Sequence, residues 1–187
     1  VRMLRVNYVG ELGWELHVPM SRMPEVFDAL MAAGEPHGIR LFGTYAMNSL
    51  RMEKAYRGWG SELTNEVTLV EADMGRFMDL SKNFIGKAGT EASLQNGPRI
   101  LLTYLEVDAI DADCLGNEPV YHGETLVGLT TGGAYGFAVG KSLTFAYLKP
   151  EVVREGTEFG VVVRGEHCRA RIGAQPLVLR IPRRLRD

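Results

Sequence analysis

Three features of the sequence have the residue types and spacing to do chemistry. They are a carboxylate, Glu11, on a loop between two glycines; an arginine, Arg51, near the end of a helix-forming run; and the flat rings of Tyr8, Tyr56 and Trp59. Glu11 sits in Tyr8-Val9-Gly10-Glu11-Leu12-Gly13-Trp14, where flanking glycines let the backbone approach a ligand closely. A carboxylate held there can accept two parallel hydrogen bonds from adjacent N–H donors, and a 2-amino-4-oxo pyrimidine edge, as in a pterin or guanine, presents such a pair. The run 46–60 begins with good helix formers and breaks into an aromatic, glycine-punctuated turn at Tyr56-Arg57-Gly58-Trp59-Gly60. Within the helix Arg51 shares a face with Met47 and Asn48, while Leu50 points about 100° away to the packed side. A carboxylate, an arginine and flat aromatics suit a pterin with an anionic tail. The same residues also fit a polar hairpin tip, a surface helix with solvated Arg51 and Glu53, and aromatics buried in a core, and pattern alone leaves both open.

Other chemistries find little support. His17, His37, His122 and His167 lack metal-ligand spacing, so no metal site is expected. Thr131-Gly132-Gly133-Ala134-Tyr135-Gly136-Phe137 is glycine-rich, but no helical pattern follows it as a phosphate loop requires, and it reads as a tight turn. No serine and histidine pair up as a nucleophilic site. A net charge of −2 gives no reason to expect nucleic acid or an acidic membrane surface as partner. Only the tail 180–186, with Arg180, Arg183, Arg184 and Arg186, is basic, as a solvated terminus would be. Cys114 and Cys168 stand far apart and fit a reducing compartment. No apolar run has the length of a membrane span and no signal peptide is visible.

The elements that must position these residues follow from periodicity. Residues 1–8 alternate as a strand, with Leu4, Val6 and Tyr8 on one face, and Trp14, Leu16 and Val18 begin a second strand, so the double-glycine segment reads as a β-hairpin. Because the chain opens directly on a strand pattern, a fragment of something longer is expected. Ser21 caps an amphipathic helix that carries Val26, Phe27, Leu30 and Met31 to a stop at Gly34 and lies on a sheet; Thr44 caps the helix bearing Arg51. Residues 63–72 suit strand or extended structure, and 87–94 a closing helix. After Asn96-Gly97-Pro98 the texture changes to short strand-like runs at 100–107, 118–121, 125–131, 142–148, 158–164 and 168–172. Glycines or prolines separate them, which predicts a barrel or sandwich. The expected fold is α+β, with a partial ferredoxin-like unit over 1–97, incomplete at its N-terminus, and an antiparallel β-barrel over 98–187. An incomplete first unit would leave an open edge, through which self-association is expected.

The motifs also carry a resemblance. The Tyr8-to-Leu16 segment resembles the Y-T/V-G-E-x-G-F/W-E block of the aminomethyltransferase family, the T-protein of the glycine cleavage system. Ser49-Leu50-Arg51-Met52-Glu53-Lys54 with Tyr56-Arg57-Gly58-Trp59-Gly60, then Asn83-Phe84-Ile85-Gly86-Lys87, resemble the next two blocks, and the run from Gly116 to Leu143 is similar to the family's C-terminal barrel. T-proteins carry A-R-D-x-x-R where this chain has Ala46-Met47-Asn48-Ser49-Leu50-Arg51. That departure is more similar to the folate-binding region of dimethylglycine and sarcosine dehydrogenases.

The resemblance implies tetrahydrofolate as cofactor and a small amine as one-carbon donor. Glu11 would grip the pterin edge, with Arg51 and Tyr8 nearby and Tyr56 and Trp59 beside them. It also implies that the catalytic aspartate, and in the dehydrogenases an FAD domain, lie upstream, so no catalytic residue is assigned within the chain, which alone should not turn over. The setting implied is cytoplasmic, or the mitochondrial matrix in a eukaryote. The competing expectation is a non-catalytic folate-fold protein with a regulatory or scaffolding role.

Overall fold

In the computed structural model, which describes residues 1–173, a closed antiparallel barrel forms the packed centre. Its strands are β3 (Leu101–Val107), β4 (Pro119–His122), β5 (Thr125–Gly136), β6 (Lys141–Leu148), β7 (Glu158–Val163) and β8 (Glu166–Ile172), in the order β3-β6-β5-β4-β7-β8. β3 also pairs with β8, with Glu106 opposite Arg171, which closes the ring and leaves no free edge. Side-chain alternation splits β3 and β6 between two cores. Leu105, Val107, Ala146 and Leu148 join Val120, Val127, Phe159, Val161 and Val163 inside the barrel. Leu102, Tyr104, Leu143 and Phe145 face the other way and pack on Met52 and Ala55, with Tyr104 and Phe145 ring centroids 5.1 Å apart.

Ahead of the barrel lie a two-stranded antiparallel sheet, β1 (Arg2–Leu4) and β2 (Glu15–His17), and three helices, α1 (Met23–Gly34), α2 (Thr44–Glu53) and α3 (Lys87–Asn96). The α+β class and the barrel are as expected; several local details differ. Both strands are shorter than their alternation suggests, because Asn7 takes the Gly10 N–H at 2.8 Å and turns the chain before a tight hairpin can form. Gly10, at φ +75°, packs so closely on Lys54 that a Cβ there would lie 2.2 Å from Lys54 Cγ. α1 begins at Met23 after a 3-10 turn, with Arg22 rather than Ser21 at its N-cap. It buries none of its residues, so it does not lie on a sheet as its stripe predicts. The N-cap of α2 is Gly43, and Thr44 is already helical. Residues 63–72 fold as successive turns rather than strand. The glycine run 131–137 is not a tight turn: β5 continues through it to Gly136, because side chains at Gly128 and Gly133 would strike the β6 backbone, at Tyr147 O (2.0 Å) and Leu143 O (2.5 Å). The basic tail 180–186 lies outside the described residues.

Two buried carboxylates tie the surface of this assembly together. Glu106 accepts from Lys141 Nζ at 2.6 Å and Arg171 Nε at 3.1 Å; Glu71 accepts from Thr68 N at 2.8 Å and Arg99 Nε at 2.9 Å. Burial alone would raise both acids, but the hydrogen bonds and cationic partners outweigh it and hold each below its ordinary value of 4.5. A carboxyl depressed in the folded state adds stability that is full above the unfolded pKa and is lost as pH falls through the folded one. The urea midpoint should therefore fall between pH 7 and pH 3, and Glu106→Gln should flatten that slope; parallel curves for the two proteins would show Glu106 to be a bystander.

Candidate functional site

α2 is bolted to the barrel by side chains that reach main-chain atoms. Asn48 Nδ2 donates to Gly133 O at 2.9 Å, Ser49 Oγ to Tyr135 O at 2.5 Å, and Glu53 Oε1 accepts from Ala138 N at 2.7 Å. From the barrel side, Tyr104 OH donates to the Met52 carbonyl at 2.7 Å. This anchorage places the last turn of α2 and the aromatic turn beyond it against β5 and β6.

Beneath that turn lies a buried ion pair. Arg51 Nη1 meets Glu62 Oε2 at 2.8 Å, with the carboxylate's side chain 0% exposed. Further hydrogen bonds surround the pair. Glu62 accepts from Gly58 N (2.6 Å), Ser61 Oγ (2.9 Å) and, from β5 of the barrel, Thr131 Oγ1 (2.6 Å). Arg51 donates to Asn48 Oδ1 at 2.8 Å and to the Tyr56 carbonyl at 3.0 Å, while Tyr147 OH holds the Glu62 carbonyl at 2.6 Å. Such additional hydrogen bonds are what make a desolvated pair tolerable.

Above the pair opens a cavity of about 800 Å³ lined by Tyr8, Thr44, Tyr45, Met47, Asn48, Arg51, Arg57, Gly58, Trp59, Ser61 and Leu63. That volume is in the range of small-molecule and cofactor sites. Tyr45 and Trp59 offer nearly bare rings, Trp59 being 84% exposed. Tyr8 OH donates to the Arg57 carbonyl at 3.0 Å, and burial, as the largest influence, raises its pKa, so it remains a neutral phenol. No lining side chain is a carboxylate or an imidazole. What these residues can do is bind and orient a flat ligand with hydroxyl, amide and guanidinium donors.

A smaller cavity of about 210 Å³ is lined by Tyr8, Ala55, Tyr56, Arg57, Leu63, Met74, Arg76 and Phe77, and so shares Tyr8, Arg57 and Leu63 with the large one. Tyr8 and Tyr56 stack across it, centroids 6.3 Å apart and planes 25° apart.

The structure thus gathers Tyr8, Arg51 and Trp59 around the large cavity and Tyr8 and Tyr56 around the small one. The guanidinium of Arg51 donates through Nε to Asn48 and through Nη1 to Glu62 and the Tyr56 carbonyl, and this pairing fixes the cavity floor. Glu11 is exposed on the loop after β1 and belongs to neither lining. Sequence reasoning missed Glu62, Arg57 and Tyr45. An acid just after the aromatic turn, and a charge inside that turn, were the available signals for Glu62 and Arg57.

Comparison with known proteins places these features in a family. Residues 1–82 match the GCVT N-terminal domain, and residues 101–178 the glycine cleavage T-protein C-terminal barrel domain. Mitochondrial dimethylglycine dehydrogenase of Mus musculus is 39% identical over 188 residues, covering 100% of this chain and 22% of that protein. Mitochondrial sarcosine dehydrogenase of Mus musculus is 34% identical, covering 92% of this chain and 19% of the relative. The aminomethyltransferase of Shouchella clausii is 32% identical, covering 94% and 48%. The chain therefore spans about a fifth of the dehydrogenases and about half of the aminomethyltransferase. The crystal structure of glycine cleavage system aminomethyltransferase T from Bartonella henselae superposes with a TM-score of 0.81 at 22% identity, over 94% of this chain and 49% of that one, which shows a shared fold. With both domain models matched in order and relatives of both kinds along its length, the chain belongs to the aminomethyltransferase (glycine cleavage T-protein) family, related to the dimethylglycine and sarcosine dehydrogenases.

Proposed function

We propose that this chain is the folate-holding part of a one-carbon transfer protein of the dimethylglycine or sarcosine dehydrogenase type, built as two units that meet near Gly97. The observation that carries this reading is the large cavity, with the exposed rings of Tyr45 and Trp59 over a floor fixed by the Arg51–Glu62 pair. A reduced folate fits its lining: flat faces for the pterin and benzoyl rings, with Asn48, Ser61 and Arg57 as polar neighbours. Bound folate would supply nitrogens that accept a one-carbon unit from a small amine. The chain's own residues would hold and orient it, with Glu11 of the neighbouring loop accepting the paired N–H donors of the pterin edge. Since the cavity lining offers no base, proton transfer would fall to residues elsewhere in the whole protein. The names of the mammalian relatives favour a mitochondrial setting in a eukaryote.

Trp59 provides the test. It lies on the cavity lip, whereas Trp14, the other tryptophan, belongs to neither cavity lining. Titrating tetrahydrofolate into the full-length protein should quench fluorescence with saturation, and Trp59→Phe should abolish most of that signal while calorimetry still detects binding. Absence of binding by both methods would overturn the reading.

A further inference from the structure

Strand β5 carries one residue more than the strand it pairs with. Thr130 lies opposite Ala146 and Gly132 opposite Phe145, so Thr131 has no partner on β6 and forms a β-bulge. Such a bulge bends its strand and re-aims the side chain at that point. Both neighbours of Thr131 are fastened: the Thr130 carbonyl accepts from Asn117 N at 2.8 Å, and the Gly132 carbonyl from Thr144 Oγ1 at 2.9 Å. Between these two holds the Thr131 hydroxyl lies 2.6 Å from Glu62 Oε1 and 3.4 Å from the Phe145 carbonyl. A hydroxyl has one proton to give, and the nearer acceptor, the carboxylate of the ion pair, takes it.

The two oxygens of Glu62 have different partners. Oε2 accepts from Arg51 Nη1, Gly58 N and Ser61 Oγ, three residues that line the large cavity, whereas Oε1 accepts from Thr131 on the barrel. Tyr147 of β6 adds a second hold from the barrel by donating to the Glu62 carbonyl. Gly58 precedes Trp59 on the lip, so a carboxylate that turned away from Thr131 would draw Oε2 off the Gly58 N–H and loosen that lip.

We propose that Thr131 is a positioning residue for the cavity. The bulge in β5, seconded by Tyr147, orients the Glu62 carboxylate, and Oε2 in turn sets the Arg51 floor and the lip at Gly58 and Trp59. The barrel thereby shapes a site to whose lining it contributes no residue. The effect on ligand affinity rests on the folate reading above; the positioning itself does not.

Three variants of the full-length protein test this. Thr131→Val keeps the shape of the side chain and removes its proton, Thr131→Ser keeps the hydroxyl, and Thr103→Val removes a buried hydroxyl of β3 that donates to the Leu101 carbonyl instead. Calorimetry gives the affinity for tetrahydrofolate. Without ligand, the fluorine resonance of Trp59 in fluorotryptophan-labelled protein, identified by its loss in Trp59→Phe, reports on the lip. Thr131→Val should shift that resonance and weaken tetrahydrofolate about tenfold, as loss of a hydrogen bond to a charged group does. Thr131→Ser should restore both, and Thr103→Val should change neither. If thermal melts show Thr131→Val to be unfolded, Tyr147→Phe, which removes the other barrel bond to Glu62, should give the same two changes and decides in its place. An unmoved resonance, an unchanged affinity, an equal effect of Thr103→Val, or a serine that restores nothing overturns the proposal and leaves the folate reading intact. If the parent protein binds no tetrahydrofolate, the folate reading fails, and the resonance alone decides whether Thr131 sets the lip.

Discussion

Glu62→Ala should cost the fold about 3–5 kcal/mol, the largest single loss expected among the described residues outside the barrel core. The substitution leaves the Arg51 guanidinium buried without its counter-ion and takes the acceptor from the Gly58 N–H and from the hydroxyls of Ser61 and Thr131. Against a total stability of about 5–15 kcal/mol for a typical domain, that is enough to unfold a marginal protein. Removing both charges should be far milder. The double variant Arg51→Met with Glu62→Leu replaces the pair by apolar volume and should recover most of the loss, because the cost of the single change is mainly that of an uncompensated charge. Urea unfolding of the two single variants, the double variant and the parent gives the coupling directly. A single-variant loss under about 1 kcal/mol would mean that water reaches Arg51 and that the pair is not a dry one.

Glu11→Gln should cut tetrahydrofolate affinity of the full-length protein by about 2–4 kcal/mol while the melting temperature hardly moves. The exchange keeps the size but presents a donor where the pterin edge needs an acceptor. Glu11 is exposed, and the Gly10 N–H that shapes its loop is held by Asn7, not by the Glu11 carboxylate, so its stability effect should stay within about 0.5 kcal/mol. Calorimetric titration beside thermal melts separates the outcomes. Equal affinity in the two proteins would remove Glu11 from the site, and a large drop in melting temperature would instead make it a structural residue.

The two predictions stand on opposite kinds of legibility. Glu11 drew attention from sequence because glycines and a carboxylate form a local pattern, and local patterns need no knowledge of the fold. Glu62 did not, because its role arises from partners far along the chain, Thr131 on β5 and Tyr147 on β6, which only the closed barrel brings to it. The same division runs through the architecture. Strands β3, β4, β6, β7 and β8 came within a residue or two of the runs read from alternation and punctuation. β5 was cut short, since its glycines look like a turn until the β6 backbone they must admit is in view. Residues 63–72 have the Thr and Val content of a strand, but Glu71 pins them as turns: its carboxylate caps Thr68 N and its carbonyl takes the Leu102 N–H at 2.8 Å. Arg51 was legible as a cation at a helix end beside aromatics, but the buried acid it pairs with was not, because that acid lies eleven residues on, across a turn.

The way α2 grips the barrel divides the burden of mutation unevenly. Asn48, Ser49 and Glu53 supply the reaching side chains, while at Gly133, Tyr135 and Ala138 the barrel answers with main-chain atoms alone. A carbonyl or an amide survives any exchange of its own side chain that keeps the strand in place. Exchange of the side chains at Tyr135 and Ala138 therefore leaves their bonds to the helix intact, whereas Gly133 admits no Cβ against Leu143 O and the helix must keep its reaching side chains. Such a joint lets the side chains at those two barrel positions change their surface chemistry while the helix is held as the key.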